Sequence, residues 1–168
     1  MTRRRPGGPL SDPDFVAGLR PIPSGPVADG RPQPAADIVG VRPTGGPVEV
    51  VIGELEGLTL LCFLHVRCDG CGAFWAGLRD DGPRGLPDGV SAVVVTKGPG
   101  SADPGEVGRE AEGVTLVPVV MSDEAWRAYR VTGYPFFVLV DPAVGTVIGE
   151  TVGLGWSDVA AMIGTARP

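Results

Sequence analysis

An unbroken apolar run, Leu58 to Val66 (LTLLCFLHV), delivers the backbone almost directly into Cys68-Asp69-Gly70-Cys71. No other feature limits the fold of this chain as much. A run of that length without a formal charge fits a strand buried on both faces, which a sheet covered by helices provides. Two cysteines three positions apart at the exit of such a strand can exchange electrons with each other or share a metal ion. Their placement decides between these.

The segments around that run follow α/β grammar, with short valine-rich stretches separated by Gly, Pro and Asp and helical stretches between some of them. Val48 to Ile52 reads as a strand, and Val90 to Thr96 (VSAVVVT) as a second buried one. Val114 to Met121 (VTLVPVVM) reads as a third, placed at an edge or ending early because Pro118 lacks the N–H a ladder needs. Phe136 to Val140 is a strand, Asp141 to Gly145 a turn, and Thr146 to Val152 the hairpin partner. A helix beginning near Cys68 or Asp69 would carry Phe74, Trp75 and Leu78 inward, although Gly70, Gly72 and Gly77 weaken it. Glu106 to Glu112 makes a short helix. Ser122 caps another that runs to about Val131 or Gly133, and Ser157 or Asp158 caps a last one to about Ile163.

Ten of the 18 prolines lie in residues 1–47, so residues 1–36 read as a disordered, Pro/Gly-rich tail and residues 37–168 as one domain. The net charge of −6, with Lys97 the only lysine, leaves no basic face for a phosphate backbone, and nucleic acid is excluded as a partner. No stretch approaches the roughly 18 apolar residues that span a bilayer. Arg3-Arg4-Arg5 runs into Pro-Gly-Gly-Pro rather than an apolar core, so no membrane partner is expected and the chain as written reads as cytoplasmic. Three cysteines cannot all pair within one chain. In a reducing compartment the Cys68/Cys71 pair reads better as redox-active or metal-binding than as a staple.

The attacking species in disulfide exchange is the thiolate, which needs a device that lowers its pKa. At a strand-to-helix junction, unpaired N–H groups and the positive end of the helix dipole would favour the anion at Cys68, with Cys71 one turn on and within reach. Arg67 should add to that effect, and Asp69 should oppose it.

The strand running into CDGC, the following helix with its Phe-Trp and Leu, and the much later Gly-Tyr-Pro-Phe-Phe-Val-Leu-Val-Asp together resemble the thioredoxin superfamily. The segment GPVEVVIGELEGLTLLCFLHVRCDGC is similar to the entry of thiol-disulfide oxidoreductases related to TlpA and ResA, which place an extra N-terminal β-hairpin before the active-site strand. The resemblance implies an α/β thioredoxin-like fold, a central mixed sheet flanked by helices, over roughly residues 37–165. It implies that Cys68 is the nucleophile, Cys71 the resolving cysteine and Pro135 a cis-proline facing the pair. The backbone of Tyr134 would then offer N–H and C=O groups to a substrate chain. It also implies a disulfide-containing protein or small thiol as substrate, a thiol reductant as electron donor, and no cofactor.

The departures from that family are informative. The intervening dipeptide is Asp-Gly, and Arg67 stands where a tryptophan is usual. Cys62 occupies the place of a buried Asp, Glu or Asn that helps move protons, so slower turnover than in a general thioredoxin is expected. Cys62, His65, Cys68 and Cys71 are four zinc-type donors in series, but strand parity turns 62 and 65 to opposite faces, which weighs against a metal. His65 reads as a packed or partly exposed histidine rather than an acid or base, Lys97 as an ordinary solvated lysine, and Phe74, Trp75, Trp126, Tyr129 and Trp156 as core or rim aromatics. The Pro-x-x-x-Thr/Ser-x-x-Cys setting of a peroxiredoxin is absent before Cys68. The remaining alternative is a thioredoxin-like binding module whose thiols are redox-inactive.

Overall fold

A computed structural model of the chain describes residues 32–79 and 86–167. The apolar run becomes strand β4, Leu58–Phe63, buried from Thr59 onward. Its side chains alternate between two cores: Leu60 and Cys62 join one cluster, Leu61 and Phe63 the other. The period of two along a strand is what lets one apolar run serve both faces of the sheet.

Preceding it are β1 (Gln33–Pro34), β2 (Ile38–Val41) and β3 (Pro47–Val50). After it come β5 (Val90–Thr96), β6 (Val119–Met121), β7 (Phe136–Asp141) and β8 (Thr146–Val152). They form one mixed sheet in the order β1-β8-β7-β4-β5-β6-β2-β3. β5 pairs in parallel with β4 and β6, and β7 pairs antiparallel with β4 and β8. The helices are α1 (Gly72–Leu78), α2 (Pro104–Glu110), α3 (Asp123–Ala128) and α4 (Trp156–Ala166). Phe74, Trp75 and Leu78 of α1 pack with Val159, Met162 and Ile163 of α4 on one face. Ala125 and Trp126 of α3, with Tyr129 just beyond it, cover Phe63 and Ile38 on the other. This is the mixed sheet flanked by helices that the sequence leads one to expect, and β2 with β3 forms an antiparallel hairpin ahead of β4.

Several elements differ from the sequence reading. β3 stops at Val50 and gives way to a single 3-10 turn, Ile52–Glu54, where the Asp37 carboxylate accepts the Ile52 N–H at 2.8 Å. β4 ends at Phe63 rather than Val66. Phe63 pairs with Phe136, the first residue of β7, and the next residue, Leu64, turns its N–H to β5, donating to Val95 O at 3.3 Å. β6 is short as expected but interior, because β2 pairs with its far side through Val41 and Met121. Pro118 precedes it and contributes only a carbonyl, which accepts from Val94 N–H at 2.9 Å. Gly40 permits this closeness, since a Cβ there would lie 2.9 Å from Val120 Cγ1.

Helix α3 starts at Ser122 as read, the hydroxyl accepting from Ala125 N–H at 3.0 Å, but it ends earlier. Arg130 takes a left-handed φ of 54°, with Arg130 N–H bonded to Arg127 O and Val131 N–H to Trp126 O. This is a Schellman closure with arginine where glycine is usual, so the sequence carried no stop signal there. In α4 the N-cap is Gly155, and Asp158 acts from the third helical position, accepting from Leu154 and Gly155 N–H groups at 2.8 and 3.2 Å. Of the tail expected over residues 1–36, residues 1–31 lie outside the described residues. Its last part is not tail: Gln33 and Pro34 pair with Val147 and Thr146, and Ala36 O accepts the Tyr129 hydroxyl at 2.6 Å.

The two glycines of α1 have opposite surroundings. A Cβ on Gly72 would meet nothing within 4 Å, whereas one on Gly77 would overlap the indole nitrogen of Trp156 and lie 3.0 Å from its Cδ1. Gly77→Ala is therefore expected to lose about 1–3 kcal/mol of unfolding free energy despite alanine's better helix propensity. Gly72→Ala should be neutral or stabilising, and denaturant titration of the two variants checks the contrast.

Candidate active site

The pairing of Phe63 with Phe136 sets the geometry of the site. The chain leaves β4 at the same end of the sheet where it enters β7, so residues 64–71 and residues 132–135 lie side by side. Cys68 and Cys71 form a disulfide with Cα atoms 5.2 Å apart, and the Cys71 N–H donates to Cys68 O at 3.0 Å, closing a turn. The Tyr134–Pro135 peptide is cis. A Cβ on Gly70 would sit 3.5 Å from Pro135 Cδ and 4.0 Å from Cys68 Sγ, which places the proline ring directly against this turn.

Helix α1 begins later than the sequence reading put it. Cys71 is its N-cap, its carbonyl accepting from Phe74 and Trp75 N–H groups at 3.1 and 3.0 Å. Cys68 therefore lies in the turn ahead of the helix, and the free N–H groups of the first helical turn follow Cys71 rather than Cys68. The two sulfurs also differ in access: Cys71 is fully buried among Leu64, Phe74 and Trp75, while Cys68 is partly exposed.

Arg67 does not act as a free charge beside Cys68. Its Nε and Nη2 donate to the two carboxylate oxygens of Glu106 at 3.2 and 2.8 Å. Glu106 is presented by α2, whose N-cap Asp103 accepts the Glu106 N–H at 2.8 Å. The field of the guanidinium at Cys68 is thus offset by a carboxylate. The hydrogen bond from Arg67 holds the Glu106 carboxyl below the usual carboxylate range.

Cys62 is completely buried in the cluster that contains Cys71, and burial pushes its thiol far up, so it cannot relay protons near neutral pH. His65, just past the end of β4, stacks on Tyr134 with ring centroids 4.7 Å apart and planes 15° from parallel. Cys62 and His65 thus point into different surroundings, and among the described residues no three His, Cys, Asp or Glu side chains gather as a metal would require. Tyr134 is 44% exposed and packs T-shaped against Trp126, with ring centroids 5.9 Å apart. Lys97 is not simply solvated: its Nζ lies 4.4 Å from the centroid of the Trp126 ring. The sequence offers no local signal for this aromatic layer, because the apolar run continues through Val66 past the end of the strand.

The sequence matches no protein-family model and no curated protein. Solved structures do resemble it. A thiol:disulfide interchange protein of the thioredoxin family from Chlorobium tepidum TLS is 22% identical, with 83% of this chain and 99% of that one covered and a TM-score of 0.56. StoA from Bacillus subtilis is 17% identical over 79% of this chain and 99% of its own, with a TM-score of 0.57. MTB dsbF, solved in mixed oxidized and reduced forms, is 16% identical over 77% and 95%, with a TM-score of 0.58. The likeness establishes the thioredoxin fold for this chain.

Two outcomes follow from this geometry. After reduction, iodoacetamide under native conditions should label Cys68 first, with Cys71 and Cys62 reacting only on unfolding, as peptide mass mapping would show; rapid native labelling of Cys62 would contradict the burial described. The contribution of the Arg67–Glu106 pair to stability should be present at neutral pH and disappear as pH falls through the depressed Glu106 pKa. In Arg67→Ala, NMR titration should find that pKa moved up toward the ordinary carboxylate value.

Proposed function

We propose that the protein is a thiol-disulfide oxidoreductase in which Cys68 attacks and Cys71 resolves. The observation that carries this reading is the Cys68–Cys71 disulfide lodged against the cis Tyr134–Pro135 peptide, with one sulfur accessible and the other enclosed.

In the reducing direction, the Cys68 thiolate attacks one sulfur of a substrate disulfide. A Cys68–substrate disulfide forms, and the other substrate sulfur leaves as a thiolate that takes a proton. The Cys71 thiolate then attacks Cys68 Sγ, forming the intramolecular disulfide and releasing the second substrate thiol. Two electrons pass from the pair to the substrate, and a thiol reductant restores the dithiol by the reverse exchange. The same steps run backwards would oxidise a substrate dithiol. The substrate is a disulfide in a protein or a small thiol compound, and an extended peptide chain could pair with the exposed backbone at Tyr134. We propose a cytoplasmic setting, in which a reducing thiol pool would supply the electrons.

Reduced Cys68→Ser protein is expected to lose reduction of a disulfide-bonded peptide, while Cys71→Ser accumulates a covalent adduct that dithiothreitol reverses and mass spectrometry identifies. Full activity in Cys68→Ser would contradict the assignment. If neither variant changes the protein's behaviour toward disulfides, the binding-module reading is the correct one.

A further inference from the structure

We infer that His65 is a positioning residue of the exchange site, bracing with one imidazole ring both the backbone that carries Cys68 and the Tyr134 side chain beside Pro135. The inference rests on the reading of Cys68 and Cys71 proposed above.

Two contacts made by opposite features of the ring carry it. In its plane, Nδ1 accepts the Arg67 backbone N–H at 3.1 Å, tying down the residue immediately before Cys68. This side chain-to-backbone link spans two residues, the closure that Asn and Asp make in Asx turns. With its face, the same ring stacks on Tyr134. Tyr134 packs in turn T-shaped against Trp126, and Lys97 sits over the Trp126 ring, so the wall is backed from the end of β5. A histidine that merely filled space would need only one of these contacts. His65 joins the two segments, 64–68 and 134–135, between which, among the described residues, no backbone hydrogen bond runs.

The bond to Arg67 requires an unprotonated Nδ1, so the neutral ring carries its proton on Nε2. The charged groups facing His65 are Lys97 from the end of β5, Arg67 from its own loop and Glu106 from α2. Burial, Lys97 and Arg67 hold its pKa below the ordinary histidine value, and Glu106 works the other way. Near neutral pH the acceptor is therefore available. On acidification Nδ1 gains a proton, two donors face each other, and the brace at Arg67 is lost.

Two variants separate the two contacts. His65→Asn can keep an acceptor for Arg67 N–H but has no ring to stack, and His65→Phe keeps a ring but has no acceptor. With a fluorogenic disulfide-bonded peptide as substrate, His65→Asn should raise KM with kcat preserved, and His65→Phe should lower kcat by about three- to tenfold with KM preserved. The ratio of wild-type to His65→Asn kcat should fall as pH drops through the lowered pKa of His65, a change that a purely structural role would not produce. Equal losses in both parameters for both variants, or no loss in either, would overturn the inference. If wild-type protein reduces neither the peptide nor oxidised glutathione, the proposed function fails. Hydrogen exchange then decides His65 separately: Arg67 N–H should be protected in wild type and His65→Asn and unprotected in His65→Phe, and equal protection in all three would refute the brace.

Discussion

The antiparallel register that places Phe63 opposite Phe136 determines where the chemistry of this protein can sit. β4 feeds both cores, as do the strands it is hydrogen-bonded to, β5 on one side and β7 on the other. Slipping its pairing by one residue would exchange the Leu60 and Cys62 face with the Leu61 and Phe63 face, so two apolar clusters resist the change together. Burying one side chain of this size is worth about 1.5–3 kcal/mol, and the register commits several at once. Fixing it fixes the end of the sheet at which the Cys68 turn meets the Tyr134–Pro135 peptide.

From that constraint comes the difference between the sulfurs. Cys71 begins a helix whose inner face is locked under Phe74, Trp75 and Leu78, and it is enclosed with them. Cys68 precedes the helix, in a turn whose neighbours are Asp69, Gly70 and the proline ring, and it keeps a path to solvent. A reagent from solvent can reach only the second of these environments. The Arg67–Glu106 pair and the His65 contacts hold the loop between β4 and this turn, so the accessible sulfur is presented by a fastened segment rather than a loose one.

Much of this was legible in the residues. β5 and β8 fall where valine-rich runs and turn residues put them, and Ser122 caps α3 because its hydroxyl can accept a free N–H of the first helical turn. The clustering of Cys68, Cys71 and Pro135 was visible only through the resemblance, since no local rule relates positions 67 residues apart. What escaped was set by tertiary pairing. The end of β4 depends on where its partner β7 begins, the interior position of β6 depends on a hairpin from the N-terminal side, and the stop of α3 is an arginine in a conformation usually left to glycine. The partners of Arg67 and Lys97 likewise lie on elements distant in sequence, Glu106 and Trp126, so a charge that reads as free in the chain is engaged in the fold.

If Cys68 and Cys71 are a working two-electron couple, the protein equilibrated in thiol/disulfide buffers of graded potential should show, by counting free thiols, a reversible transition. Two thiols should appear together, at a midpoint above the roughly −300 mV below which structural disulfides lie, and the transition should be lost in Cys68→Ser. A pair that stays disulfide throughout that range, or that once reduced never re-forms its bond, would contradict the assignment.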